Sequence, residues 1–94
     1  MNMDAVDWAF NLPPTLKTRE RMVLLRLAAE ADVCGECVLP ISYIAKHTSL
    51  PESQAQNAIK KLQDLGLVVV STRIVEGKQA ADLYRLKFKK GRIQ

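Results

Sequence analysis

Residues 40–66 read PISYIAKHTSLPESQAQNAIKKLQDLG, and the fold turns on how this stretch is divided. Pro40 and Pro51 each stand where a helix favours proline, at its first turn. Behind Pro40, Ile41, Ile44 and Ala45 make a one-sided apolar stripe that stops near His47 or Thr48. Behind Pro51, Ala55, Ala58, Ile59, Leu62 and Leu65 make a longer stripe, closed by Gly66 at a position suited to a left-handed cap. The spacing therefore predicts a short helix and a longer one, joined by the tight link Thr48-Ser49-Leu50. Ala45 has the small side chain that a close helix crossing needs, and Leu50 is the apolar anchor for the link.

Outward on the amino-terminal side, Pro13-Pro14 forbids a helix, and Thr15 is placed to cap one that runs from Leu16 to Ala31. Its core face is Leu24, Leu27, Ala28 and Ala31, with Leu25 at the edge. Arg19, Arg26 and Glu30 lie on the other side, Arg26 and Glu30 as an i,i+4 pair. Asp32 and Gly35 end the helix, and Glu36 to Leu39 is short enough for a brief strand. On the carboxyl side the apolar period changes to two. Leu67 to Val75 and Ala81 to Lys89 read as strands, with a turn over Glu76-Gly77-Lys78-Gln79. Three helices, a short strand and a carboxyl-terminal hairpin amount to an α+β winged helix-turn-helix. The expected division is an arm over residues 1–15, the winged domain over 16–89 and a basic tail over 90–94.

The 94 residues suit one domain, and a composition 48% hydrophobic and 26% charged excludes collagen-like, coiled-coil and disordered classes. The longest apolar runs, Met22 to Leu25 and Leu67 to Val70, cannot span a bilayer, so no membrane partner is expected. No long apolar segment near the start suggests secretion, and the default location is cytoplasmic. The net charge of +4 is unevenly spread. Residues 1–50 sum to about −1 and residues 51–94 to about +5. The stretch from Tyr84 to Gln94 holds Arg85, Lys87, Lys89, Lys90 and Arg92 with no acid. Such a half suits a polyanion, although a solubilising tail has the same composition.

The polar face of the longer helix carries the candidate chemistry. Ser53, Gln56, Asn57 and Lys60 fall opposite Ala55, Ile59 and Leu62, with Glu52, Gln54 and Lys61 flanking. Glutamine and asparagine amides can bond adenine N6 and N7 together, and lysine can reach guanine or phosphate. A solvated helix face is also polar, but this one is rich in amides rather than in Glu and Lys. On the wing, Arg73, Lys78, Gln79, Arg85 and Lys87 are candidates for phosphate contacts; guarding a sheet edge is their plainer role.

Other chemistry finds little support. Cys34-Gly35-Glu36-Cys37 is a CxxC pair, yet His47 is the only histidine and no third cysteine exists, so neither zinc nor redox function is expected. Cys37 sits among apolar residues and is expected to pack inward. No glycine-rich phosphate loop, paired carboxylates or Ser/His/Asp set assembles an active site, and no cofactor is expected. An aromatic content of 5% argues against stacked single strands and disfavours RNA.

The chain resembles the winged helix-turn-helix domains of phage and plasmid replication initiators and related regulators of mobile elements. The resemblance covers roughly Val6 to Leu86. It rests on Val6-Asp7-Trp8-Ala9, Met22-Val23-Leu24-Leu25-Arg26-Leu27-Ala28, Gly35-Glu36-Cys37, Ile44-Ala45 and Leu65-Gly66-Leu67-Val68. It implies sequence-specific binding of double-stranded DNA through Ser53, Gln54, Gln56, Asn57 and Lys60, and a structural role for Cys37. The chain departs from the family pattern at Ser49, where glycine is usual, and at Pro51-Glu52-Ser53, where Ser followed by basic residues is usual. Longer members continue into further domains.

One such domain binds modestly, so a homodimer on a repeated site is expected. Trp8, Phe10 and Leu12 either supply its contact or pack across the domain's own first helix. The rival expectation is a docking module for a replication or recombination protein.

Overall fold

The computed structural model describes residues 2–88. Lys89, Lys90, Arg92 and the rest of the 90–94 tail lie outside the described residues. Seven elements follow one another: α1 (Met3–Phe10), α2 (Thr18–Glu30), β1 (Glu36–Leu39), α3 (Ile41–Thr48), α4 (Glu52–Asp64), β2 (Val68–Val75) and β3 (Lys78–Leu86). The three strands form an antiparallel sheet in the order β1-β3-β2. This is the winged helix-turn-helix, with four helices where three were expected.

The added helix is α1. Asn2 caps it, accepting from the Ala5 amide at 3.0 Å, and Ala5 and Ala9 are fully buried. Two alanines one turn apart let α1 lie close on its neighbour, a signal too small for hydrophobic periodicity to show. Arg21 of α2 fastens its far end. The guanidinium donates to the carbonyls of Ala9 (2.8 Å), Leu12 (3.0 Å) and Pro13 (2.8 Å). The end of α1 leaves the Ala9 carbonyl without a helical donor, and the Pro13 carbonyl is shared with the Leu16 amide. The segment expected as an arm over residues 1–15 thus packs on α2, the second of the two roles expected for its apolar residues.

Helix α2 starts at Thr18, not after Thr15, because Pro13 to Leu16 forms a turn closed by the Leu16 amide on the Pro13 carbonyl. Lys17 occupies the cap position, its amide donating to Glu20 Oε1 at 3.0 Å. The Arg26–Glu30 pair forms at 3.0 Å. The core gathers Val23, Leu24 and Leu27 of α2, Ile44 of α3 and Leu62 of α4, all fully buried. Each such side chain contributes roughly 1.5–3 kcal/mol. Tyr84 and Leu86 of β3 close the core from the sheet side.

Between α3 and α4, Ser49 takes the left-handed conformation (φ 59°), and the Leu50 amide reaches back to the Ala45 carbonyl at 3.0 Å. In the hairpin, Glu76 (φ 51°) and Gly77 (φ 77°) make a two-residue turn of type I′ geometry. That tightness lets pairing resume at once, so β3 begins at Lys78 rather than at Ala81. Ser71 pairs with Leu83 but Arg73 with Ala80, which leaves one extra residue on β3 and kinks the wing.

Candidate nucleic-acid interface

Helix α4 is held by Ala55, Ala58, Ile59 and Leu62, all buried, and this fixes which face it offers to solvent. Ser53, Gln56, Asn57, Lys60 and Lys61 are exposed, and Gln54 is half-buried beside them. The three small or branched anchors Ala55, Ala58 and Ile59 keep α4 close to the body, while the short linker sets its angle to α3.

The wing residues divide into groups. Lys78 and Gln79 are exposed beside the Glu76-Gly77 turn. Arg73 is half-buried and donates to the Ala81 carbonyl across the hairpin at 3.3 Å. Arg85 is engaged as well, its Nε at 2.9 Å and Nη2 at 2.8 Å from Glu36 Oε2. On β3, Tyr84 and Leu86 face the helices, so Arg85 and the exposed Lys87 leave the other side of the sheet. The α4 stripe and the hairpin turn are therefore separate from Arg85 and Lys87.

A groove of about 500 Å³ connects α4 to the wing. Gln56, Ile59 and Gln63 line it from α4, Leu39, Pro40 and Ile41 from the β1–α3 junction, and Val70, Gln79 to Asp82 and Tyr84 from the sheet. Gln63 and Asp82 went unmarked in the sequence. Gln63 follows Gln56 by seven residues, two helical turns on one line, and that spacing was the available signal. Burial, and then the Asp82 charge, push the Tyr84 phenol up to about 12.

The cysteines part company. Cys34 is exposed, while Cys37 is buried with its Sγ 3.7 Å from the Leu27 carbonyl. Burial raises the Cys37 thiol to about 11, with Glu30 and Asp32 adding to the shift. No group of three His, Cys, Asp or Glu side chains that could hold a metal occurs among the described residues. Trp8 is half-buried with its ring 6.2 Å from that of Phe88, so it packs within the domain. Phe10 is 63% exposed.

The helix-turn-helix domain family matches residues 15–68, more than half of the chain and all of α2, β1, α3 and α4. The chain belongs to that family. A solved structure described as a "possible transcriptional regulator from Methanosarcina mazei Go1" superposes with a TM-score of 0.58 at 21% identity. The similarity covers 93% of this chain and 66% of that one, and it extends the shared fold through the wing. No curated protein sequence matches the chain. No helix among the described residues is long and apolar enough to cross a membrane.

Proposed function

We propose that this chain binds double-stranded DNA sequence-specifically, as a regulator or replication-associated protein of a phage, plasmid or other mobile element. The observation that carries the reading is the exposed Ser53–Lys60 face of α4, rich in amides and fixed from behind by buried Ala55, Ala58, Ile59 and Leu62. In the major groove Gln56 and Asn57 read base edges, and Ser53, Gln54, Lys60 and Lys61 hold the flanking backbone. Lys78 reaches phosphate from the hairpin turn. The mobile-element setting is supported by the sequence resemblance.

Met3 (64% exposed), Phe10 (63%) and Met22 (44%) leave apolar surface on α1 and α2, well suited to a protein contact. A homodimer through this face would present two copies of α4 to a repeated site. A replication or recombination protein is the other occupant of that face.

The test is fluorescence anisotropy on random duplexes and on duplexes enriched by selection, across a salt series. Expected are a steep loss of affinity with salt and a selected site that outlasts random DNA. Gln56→Ala with Asn57→Ala should relax the preference. Absence of binding at low salt overturns the reading in favour of a protein-docking module.

A further inference from the structure

The groove between α4 and the wing has walls of Leu39, Ile41, Ile59 and Val70 and a carboxylate, Asp82, with no counter-ion among the described residues. Asp82 Oδ1 is sealed from solvent and has no hydrogen-bond partner among the described residues. Among the described residues no lysine, arginine or histidine lines the groove, and Arg73 on the hairpin is turned to the Ala81 carbonyl. A carboxylate with one oxygen buried and unpaired carries an electrostatic demand that a nearby cation would meet. The same lining is hostile to anions, so this is no phosphate seat despite its place beside the proposed DNA face.

We propose that the groove binds a small organic cation, a primary ammonium on an apolar body, with Asp82 as counter-ion and the Tyr84 ring and aliphatic walls covering the body. The chemistry fits term by term. An ammonium donates to the outer Asp82 oxygen, Oδ2, and its charge compensates the carboxylate whose Oδ1 is sealed. The amide oxygens of Gln63 and Gln79 take up its remaining protons, and the apolar body excludes water from the walls. Because Gln56 lines the groove and also stands on the α4 face, occupancy adjusts the residue placed to read bases. That regulatory consequence rests on the DNA reading above; the binding itself does not.

The test titrates 2-phenylethylammonium into the isotope-labelled chain, with 2-phenylethanol as the neutral isostere and 3-phenylpropionate as the anion, following backbone amide shifts. Expected is saturable movement confined to Gln56–Gln63, Val70 and Gln79–Tyr84, with the cation at least about tenfold tighter than the alcohol. Asp82→Asn should bring the cation down to the level of the alcohol. Gln63→Lys, at an exposed position, tethers an ammonium beside Asp82 and should block the site with no change to the carboxylate, which covers the case where Asp82→Asn fails to fold. Equal affinity for cation and alcohol, or undiminished cation binding by Gln63→Lys, overturns the proposal, as does the absence of groove shifts with the cation. Cation binding by a chain that binds no duplex would leave this site standing and remove the DNA reading.

Discussion

The Phe88 ring lies over the α-carbon of Gly35, so close that a Cβ built there would come within 2.5 Å of Phe88 Cε1. Gly35 is also left-handed, with φ +81°, and its carbonyl accepts the Leu86 amide at 2.8 Å. Two costs therefore meet in one substitution, backbone strain and a ring that must move. Gly35→Ala should destabilise the domain by about 2 kcal/mol or more in urea unfolding. With Phe88→Ala the steric part disappears and the two changes should be less than additive.

Arg21 closes the carbonyl ends of α1 and of the proline turn. Arg21→Ala removes three close charge-assisted hydrogen bonds and should cost about 2–3 kcal/mol. Amide hydrogen exchange in Ala5 to Phe10 should accelerate more than exchange in α4. Arg21→Lys should recover only part of the loss, because an ammonium cannot span the carbonyls that the planar fork reaches.

Ser49 pays a left-handed backbone conformation at the centre of the helix-turn-helix. Ser49→Gly removes that strain and adds unfolded-state freedom, which offsets part of the gain. The expected net stabilisation is about 0.5–1 kcal/mol by denaturant unfolding, with DNA affinity unchanged. A loss of stability would show that the serine does more than occupy the turn.

The basic residues of the wing should separate in DNA binding. Lys78→Ala should weaken binding to every duplex and lower the salt slope by about one. Arg85→Ala should change affinity little, since Arg85 pairs with Glu36 on the side of the sheet away from the helices. Anisotropy on one duplex at several salt concentrations measures both.

The thiols should separate as well. Iodoacetamide at pH 8 should modify exposed Cys34 and spare Cys37 in the native chain, as mass spectrometry would show. Because burial raises the Cys37 thiol to about 11 from an ordinary 9.0, folding favours its protonated form. That contribution is complete below pH 9 and is lost as pH rises toward 11, so stability should fall across this alkaline window.

Most of the fold can be read from Pro40, Pro51, Gly66 and the change of period after it, because each is a local signal with a local cause. β1 was legible to the residue, since Gly35 and Pro40 bound it. Helix α1 was not: its buried contacts are two alanines, and the residue that secures it, Arg21, comes twelve positions after Ala9. The α4 face was legible because one helical period fixes it. The engagement of Arg73 and Arg85 was not, because their partners Ala81 and Glu36 are set by strand register, and the kink opposite Thr72 shifts that register midway. The groove stayed hidden for the same reason, its walls coming from α4, the β1–α3 junction and the sheet.

The strand order β1-β3-β2 also sets a timetable. As the chain leaves the ribosome, β1 emerges early but finds no hydrogen-bonding neighbour until Lys78–Leu86 follows, with α3, α4 and β2 made in between. A nascent chain ending at Gly77 would hold every helix of the fold and two strands without a mate. Arrival of the central strand then completes both ladders in one event, delivering Tyr84 and Leu86 to the core and bringing Gln79 and Asp82 up to α4. Until that moment neither the wing nor the groove exists, so this surface is the last part of the molecule to come into being.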